Sequence, residues 1–260
     1  MGFLVKKSEK ILFAIKIIAT IGIMVAIICA IPELFAADAG MITTFIPMIV
    51  YVVMIFVYIW FYKVFLVAHL KGNGICVSET QFPVVFQEYV AMAEKLGLKK
   101  IPPLFILQSG GVLNAFAARL SGKNYIAIYS DIFSEYKTDF EAVKFVLAHE
   151  LGHIKRRHNQ KRFWTMLSSI VPFLTAAYSR ACEYTCDNIG SSFIPDPSGK
   201  LHGLLLLAGG KDIYKEINVN NYLETARNNR TFCVKFINLF LSHPYLPKRI
   251  ENLQATKLIE

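Results

Sequence analysis

Cysteine is sparse in this 260-residue chain, and its five residues (Cys29, Cys76, Cys182, Cys186 and Cys233) are odd in number and scattered. That excludes a disulfide framework and suits a reducing compartment. Acid is also short, with 19 Asp and Glu against 28 Lys and Arg, a net charge of +9. The 15 glycines and 10 prolines follow no period, and 54% of residues are hydrophobic, so a collagen-like or disordered chain is excluded. There is no internal repeat and no low-complexity linker. No RNP, zinc-knuckle or helix-turn-helix pattern occurs, so the cationic excess is not a nucleic-acid footprint. It suits an anionic inner leaflet instead. The surplus of apolar residues argues against a freely soluble enzyme unless it is gathered in one place, and it is.

Residues 11–31 are apolar apart from Lys16, and residues 41–62 contain no charge. At about 1.5 Å per residue, each run is long enough to cross a hydrocarbon core about 30 Å thick. Two transmembrane helices are expected. A cleaved signal peptide is the rival for the first, since Ala37-Asp38-Ala39 resembles a cleavage site, but it would be too long and would hold Lys16 in its apolar part. Lys6, Lys7 and Lys10 precede the first run and Lys63 and Lys71 follow the second, whereas the loop between carries Glu33 and Asp38 and no base. Positive charge resists translocation, so the N-terminus and everything after about residue 63 are expected in the cytoplasm. The expectation is a multi-pass cell-membrane protein, with residues 1–75 as anchor and residues 76–260 as a cytoplasmic domain in contact with membrane lipids.

That domain reads as α+β. Pro83 opens a helix whose apolar positions Val85, Tyr89, Met92 and Leu96 recur at helical spacing up to Gly97. Residues 104–107, 112–118 and 125–129 read as strands, the last two joined by a Ser121-Gly122-Lys123-Asn124 turn. Thr138-Asp139-Phe140-Glu141 has the form of a capping box, and Phe140, Val143, Leu147, Leu151 and Ile154 line one face of the helix it opens.

On that helix lies His149-Glu150-Leu151-Gly152-His153. A spacing of four sets both imidazoles on one face, one turn apart, where they can grip one metal. Glu150 stands beside them as a proton acceptor for a water on that metal. Catalytic zinc takes three protein ligands and keeps one position open. Glu183 is the candidate third ligand, with Asp187 one helical turn on to accept a hydrogen bond from a ligand histidine. A solvated acidic face is the plainer reading of that pair. Cys182 and Cys186 could be thiolate ligands, but small apolar core residues are the better reading.

The His149–His153 motif followed by Glu183-Tyr184-Thr185-Cys186-Asp187 resembles the HtpX-like family of membrane zinc endopeptidases, which includes the CAAX prenyl proteases. Asn114-Ala115-Phe116-Ala117, Lys155-Arg156-Arg157-His158 and His243-Pro244 with Arg249 match further family segments in order, so the likeness covers about residues 80–252. Ala118-Arg119 and Cys186 depart from the usual pattern, and neither touches an expected ligand. The resemblance implies a compact gluzincin fold with a small sheet and one Zn2+ per chain, held by His149, His153 and Glu183. It implies Glu150 as general base, His243 as oxyanion donor and Arg249 beside Asp187 as support. It also implies that the 114–117 strand holds extended polypeptide substrate, with Asn114 bonding to it.

Residues 163–178 are apolar but too short to cross twice, and Pro172 interrupts them. His153 and Glu183 must share one side of the membrane, so this segment is expected to dip into the bilayer, lie against it or pack on the N-terminal spans. Lys155, Arg156, Arg157, Lys161 and Arg162 precede it with no acid among them and suit an anionic surface. The expected function is endopeptidase action on cytosolic or membrane-emergent proteins, in quality control or in processing of a dedicated target. The alternatives are a prenyl-protein protease, whose relatives have more spans, and a proteolytically silent zinc-binding scaffold.

Overall fold

Two long apolar helices open the chain, α1 (Lys7–Phe35) and α2 (Ala39–Asn73). The computed structural model describes residues 4–35, 39–108 and 115–256. Within the two helices, Lys7–Pro32 and Phe45–Asn73 are long and apolar enough to cross a membrane. Most of their apolar side chains face outward, among them Ile18, Ile28, Val53, Met54 and Trp60. Lys16 does not interrupt this surface, because its ammonium turns inward and donates to Thr175 Oγ1 at 2.7 Å. The last turns of α2, beyond residue 62, continue as helix and lay Val67 and Leu70 on the back of a sheet.

The sheet contains β1 (Ile75–Cys76), β2 (Leu104–Leu107), β3 (Ala115–Leu120) and β4 (Lys123–Tyr129), in the order β1-β2-β4-β3. Helix α3 (Pro83–Lys95) links the first two strands. The β2–β4 pair is parallel, Leu104 opposite Ile126, and the two outer pairs are antiparallel. A strand buried on both faces should be continuously apolar. In β2, Leu104 and Ile106 enter the main core, while Phe105 and Leu107 face α2. The hairpin between β3 and β4 is tighter than the sequence suggests. Leu120 pairs with Lys123, leaving Ser121 (φ 48°) and Gly122 (φ 81°) as a two-residue turn. Two left-handed residues match the right-handed twist of the flanking strands, so pairing extends through the two residues expected in the turn.

After a short helix α4 (Ser130–Phe133) comes α5 (Phe140–Lys155), which carries the His149–His153 motif through the middle of the domain. Its cap is Asp139, which accepts from Ala142 N at 3.1 Å, and not Thr138, whose hydroxyl instead donates to Glu135 Oε2 at 2.6 Å. Asp139 Oδ2 also binds His202 Nδ1 at 2.6 Å, so His202 braces the start of the motif helix. Val143, Phe145, Leu147 and Leu151 of α5 are fully buried with Ile126 and Ile128 of β4.

Then follow α6 (His158–Trp164), a 3₁₀ turn (Leu167–Ile170) and α7 (Leu174–Ser191). The apolar stretch 163–178 is therefore not one helix: Pro172 falls in the break and Phe173 takes φ 60°. Its 3₁₀ turn and α7 pack on α1. The rest is α8 (Pro197–Gly209), α9 (Val219–Asn228), α10 (Phe232–Phe240) and α11 (Leu246–Ala255). The described residues are mostly helical, with one small mixed sheet.

Candidate metal centre

Helices α5 and α7 lie close because small residues stand where they meet. A Cβ on Gly152 would come within 3.3 Å of Cys186 Sγ, and one on Gly190 within 3.1 Å of Phe145 O. This approach lets Glu183 on α7 reach across to the histidines of α5. His149 Nε2 lies 3.4 Å from Glu183 Oε2, His153 Nε2 lies 3.4 Å from Glu183 Oε1, and the two Nε2 atoms are 3.2 Å apart. The three side chains expected as ligands thus converge on one point, though nearly 30 residues separate Glu183 from the motif.

Behind them the polar groups form a chain. Asp187 Oδ1 accepts from His149 Nδ1 at 2.9 Å, which sends the lone pair on Nε2 of the neutral ring towards the other donors. Arg249 of α11 grips Asp187 with both arms, Nε to Oδ2 at 2.8 Å and a terminal nitrogen to Oδ1 at 2.5 Å. Burial alone would raise the pKa of Asp187, but the guanidinium and His149 outweigh it and hold the carboxyl below its usual range. Burial likewise opposes charge on Glu183, yet His153 and His149 pull its pKa well down. Burial should also depress His149, but Asp187 and Glu183 prevail and raise it to about 9. A metal would take the place of that proton.

This donor set fits a divalent cation of the zinc class. Two imidazole nitrogens and a carboxylate meet, one imidazole is oriented by a buried carboxylate, and Glu183 Oε1 is buried without a hydrogen-bond donor. An imidazole nitrogen of each motif histidine also lies within 4.8 Å of Cys186 Sγ. Burial pushes the pKa of the Cys186 thiol well above its ordinary value. Cys182 and Cys186 are both wholly buried, as core residues are.

A cleft of about 230 Å³ opens over this centre, and Glu150 lines it together with Ala115, Phe116, Ala117 and Asn159. The 115–117 segment opens β3, the last strand in the order of the sheet, which pairs antiparallel with β4. Asn159 donates to Ala117 O at 3.1 Å. Asn114 lies outside the described residues. His243 borders the same cleft, its side chain 68% exposed and its Nδ1 3.2 Å from Glu183 Oε2. Arg249 comes within 3.8 Å of that same oxygen.

A family model described as peptidase family M48 matches residues 79–171 and 163–257. The chain belongs to peptidase family M48. It therefore carries an M48 metallopeptidase domain, and M48 enzymes are typically zinc-dependent. The chain is 30% identical over 173 residues to plastoglobule-localized metallopeptidase 48, a chloroplastic protein of Arabidopsis thaliana. That alignment takes in 60% of this chain and 49% of the relative, so the chain spans about half the relative's length. No solved structure matches it.

Two features of this M48 chain escaped the sequence. The basic cluster does have an acid, supplied by α1. Glu9, with no exposed surface, receives Arg156 at 2.8 Å and Lys161 at 3.3 Å, so those two bases are not free for a lipid surface. His158 touches the centre: its Nδ1 lies 3.0 Å from His153 Nδ1. Burial pushes the His158 ring down to about 4, which keeps it neutral. An acid amid Lys6, Lys7 and Lys10 reads as the usual partner of a helix N-terminus, so its sequence carries no sign of a contact about 150 residues away.

Proposed function

We propose that this protein is a membrane-anchored zinc endopeptidase that cleaves cytosolic or membrane-emergent polypeptides. The convergence of His149, His153 and Glu183 within 3.4 Å, with Glu150 in the cleft beside them, carries the reading. His149, His153 and Glu183 would hold one zinc, which supplies Lewis acidity towards a scissile carbonyl and makes water a stronger acid. Glu150 accepts the proton of the attacking water and returns it to the leaving amine. His243 donates to the oxygen of the tetrahedral intermediate, and its exposure lets it turn from Glu183 towards substrate. Asp187 and Arg249 hold His149 in one tautomer. An extended substrate lies along β3, main chain to main chain, beside Asn159, which donates to Ala117 O.

Stripping metal with a tight chelator is expected to abolish cleavage of unfolded casein, and one equivalent of zinc per chain is expected to restore it. Undiminished cleavage by protein shown to hold no metal would refute the reading. A metal-loaded protein that cleaves none of several unfolded substrates would favour the silent scaffold.

The anchor reading rests on the outward-facing apolar surfaces of α1 and α2 and on the lysines that flank them. It sets the domain in the cytoplasm, and the family's part in quality control or dedicated processing extends to this chain as a proposal. A single cysteine placed at position 200, in a background freed of the native cysteines, is expected to resist an impermeant thiol reagent in intact cells and to react after lysis. Labelling of intact cells would reverse the orientation.

A further inference from the structure

We propose that Glu9, on the first apolar helix, is a positioning residue for the metal centre, fixing the ring of His153 through His158. The inference rests on the metal site proposed above. His153 Nε2 faces Glu183 and His149, so on the bound metal the ring carries its proton on Nδ1. That Nδ1 lies 3.0 Å from His158 Nδ1, which must then accept. His158 consequently carries its own proton on Nε2, and Glu9 Oε1 stands 3.3 Å from that nitrogen. Each proton position follows from the one before, and the last nitrogen, His158 Nε2, buried and making no hydrogen bond among the described residues, has Glu9 Oε1, which can only accept, as its neighbour. His149 is braced by Asp187 and Arg249 from the C-terminal side of the domain. His153 is braced by a His–Glu pair whose acid comes from the opposite end of the chain.

Two other uses of Glu9 are less well supported. One ligand atom each from Glu9, His158 and Cys182 lie within 4.8 Å of one another, a spacing that would suit a second metal. Arg156 and Lys161 already neutralise Glu9 Oε1, so a further cation would be repelled there. Docking of α1 alone would need Arg156 and Lys161 but not His158, which is almost wholly buried between Glu9 and His153. The chain leading into α1 is held as well: Asn188 donates to Leu4 O at 3.1 Å, and Lys6 N donates to Thr185 Oγ1 at 3.2 Å.

The test measures zinc affinity of the full-length protein in detergent by chelator competition, with the visible spectrum of the cobalt-substituted form as a second readout. Glu9→Gln is expected to weaken zinc about 10- to 100-fold and to shift the cobalt bands, the usual cost of losing an outer partner of a ligand histidine. Arg156→Met removes the docking ion pair but leaves the path through His158, and it is expected to keep affinity within about twofold of the parent, well short of that range. Equal losses in the two variants, or no loss in Glu9→Gln, would overturn the inference. Should Glu9→Gln fail to fold, His158→Phe keeps the ring volume without the nitrogens. It is expected to show the same loss, and affinity equal to the parent's would overturn the inference. A parent protein that binds no zinc would refute the metal site itself, a result distinct from either.

Discussion

Glu150→Gln is expected to retain one zinc per chain while its turnover of unfolded casein falls by about 10²- to 10⁴-fold, the range typical of losing a general base. Glutamine has the shape of glutamate and still accepts a hydrogen bond through its carbonyl, but it does not take up the proton of the attacking water. Glu150 is not among the three converging donors, so the centre itself should be unchanged. Metal analysis beside the kinetics separates the two effects. Full activity in a metal-loaded Glu150→Gln protein would remove this residue from its role and leave the cleft without its base. The same inactive variant is the natural trap for substrates.

Arg249→Met should cost more in stability than any surface change. Arg249 and Asp187 are both buried and held by two hydrogen bonds, and Asp187 has no exposed surface. Removing the guanidinium leaves a buried carboxylate with only His149 to answer it, a loss of about 3–5 kcal/mol for a broken buried pair. The apolar stem of methionine fills part of the space, so the cost is electrostatic more than steric. Denaturant unfolding of the metal-free protein measures it, and a loss below 1 kcal/mol, the ordinary size for an exposed pair, would show that Asp187 is not charged there. Asp187→Asn in the same background should recover much of the loss, since it removes the stranded charge.

Much of the centre was legible in the chain because helical spacing is local. His149 and His153 fall on one face by counting alone, and Glu183 and Asp187 repeat the interval on α7. The order of the segments, helix then strands then helices, was likewise readable from periodicity. The exact cap of α5 was not, because Thr138 and Asp139 both suit the position and tertiary partners decide between them. Asp139 is the one that also meets His202 and Tyr214. Glu9 was not legible at all. Nothing near residue 9 distinguishes an acid that caps its own helix from one that serves a histidine far along the chain. The bases at 156 and 161 looked free because an ion pair leaves no trace in a one-dimensional reading when its halves lie at opposite ends.

The unbroken course of α2 from its apolar stretch to the back of the sheet has a mechanical meaning. Residues 63–73 form about 16 Å of rigid rod at 1.5 Å per residue, and Val67 and Leu70 bolt its end to β-strand side chains. On the anchoring proposed here, the catalytic cleft is mounted on a strut and not hung from a tether. It would sample a thin shell of fixed height above the lipid headgroups, so a scissile bond must be delivered to that height by the substrate.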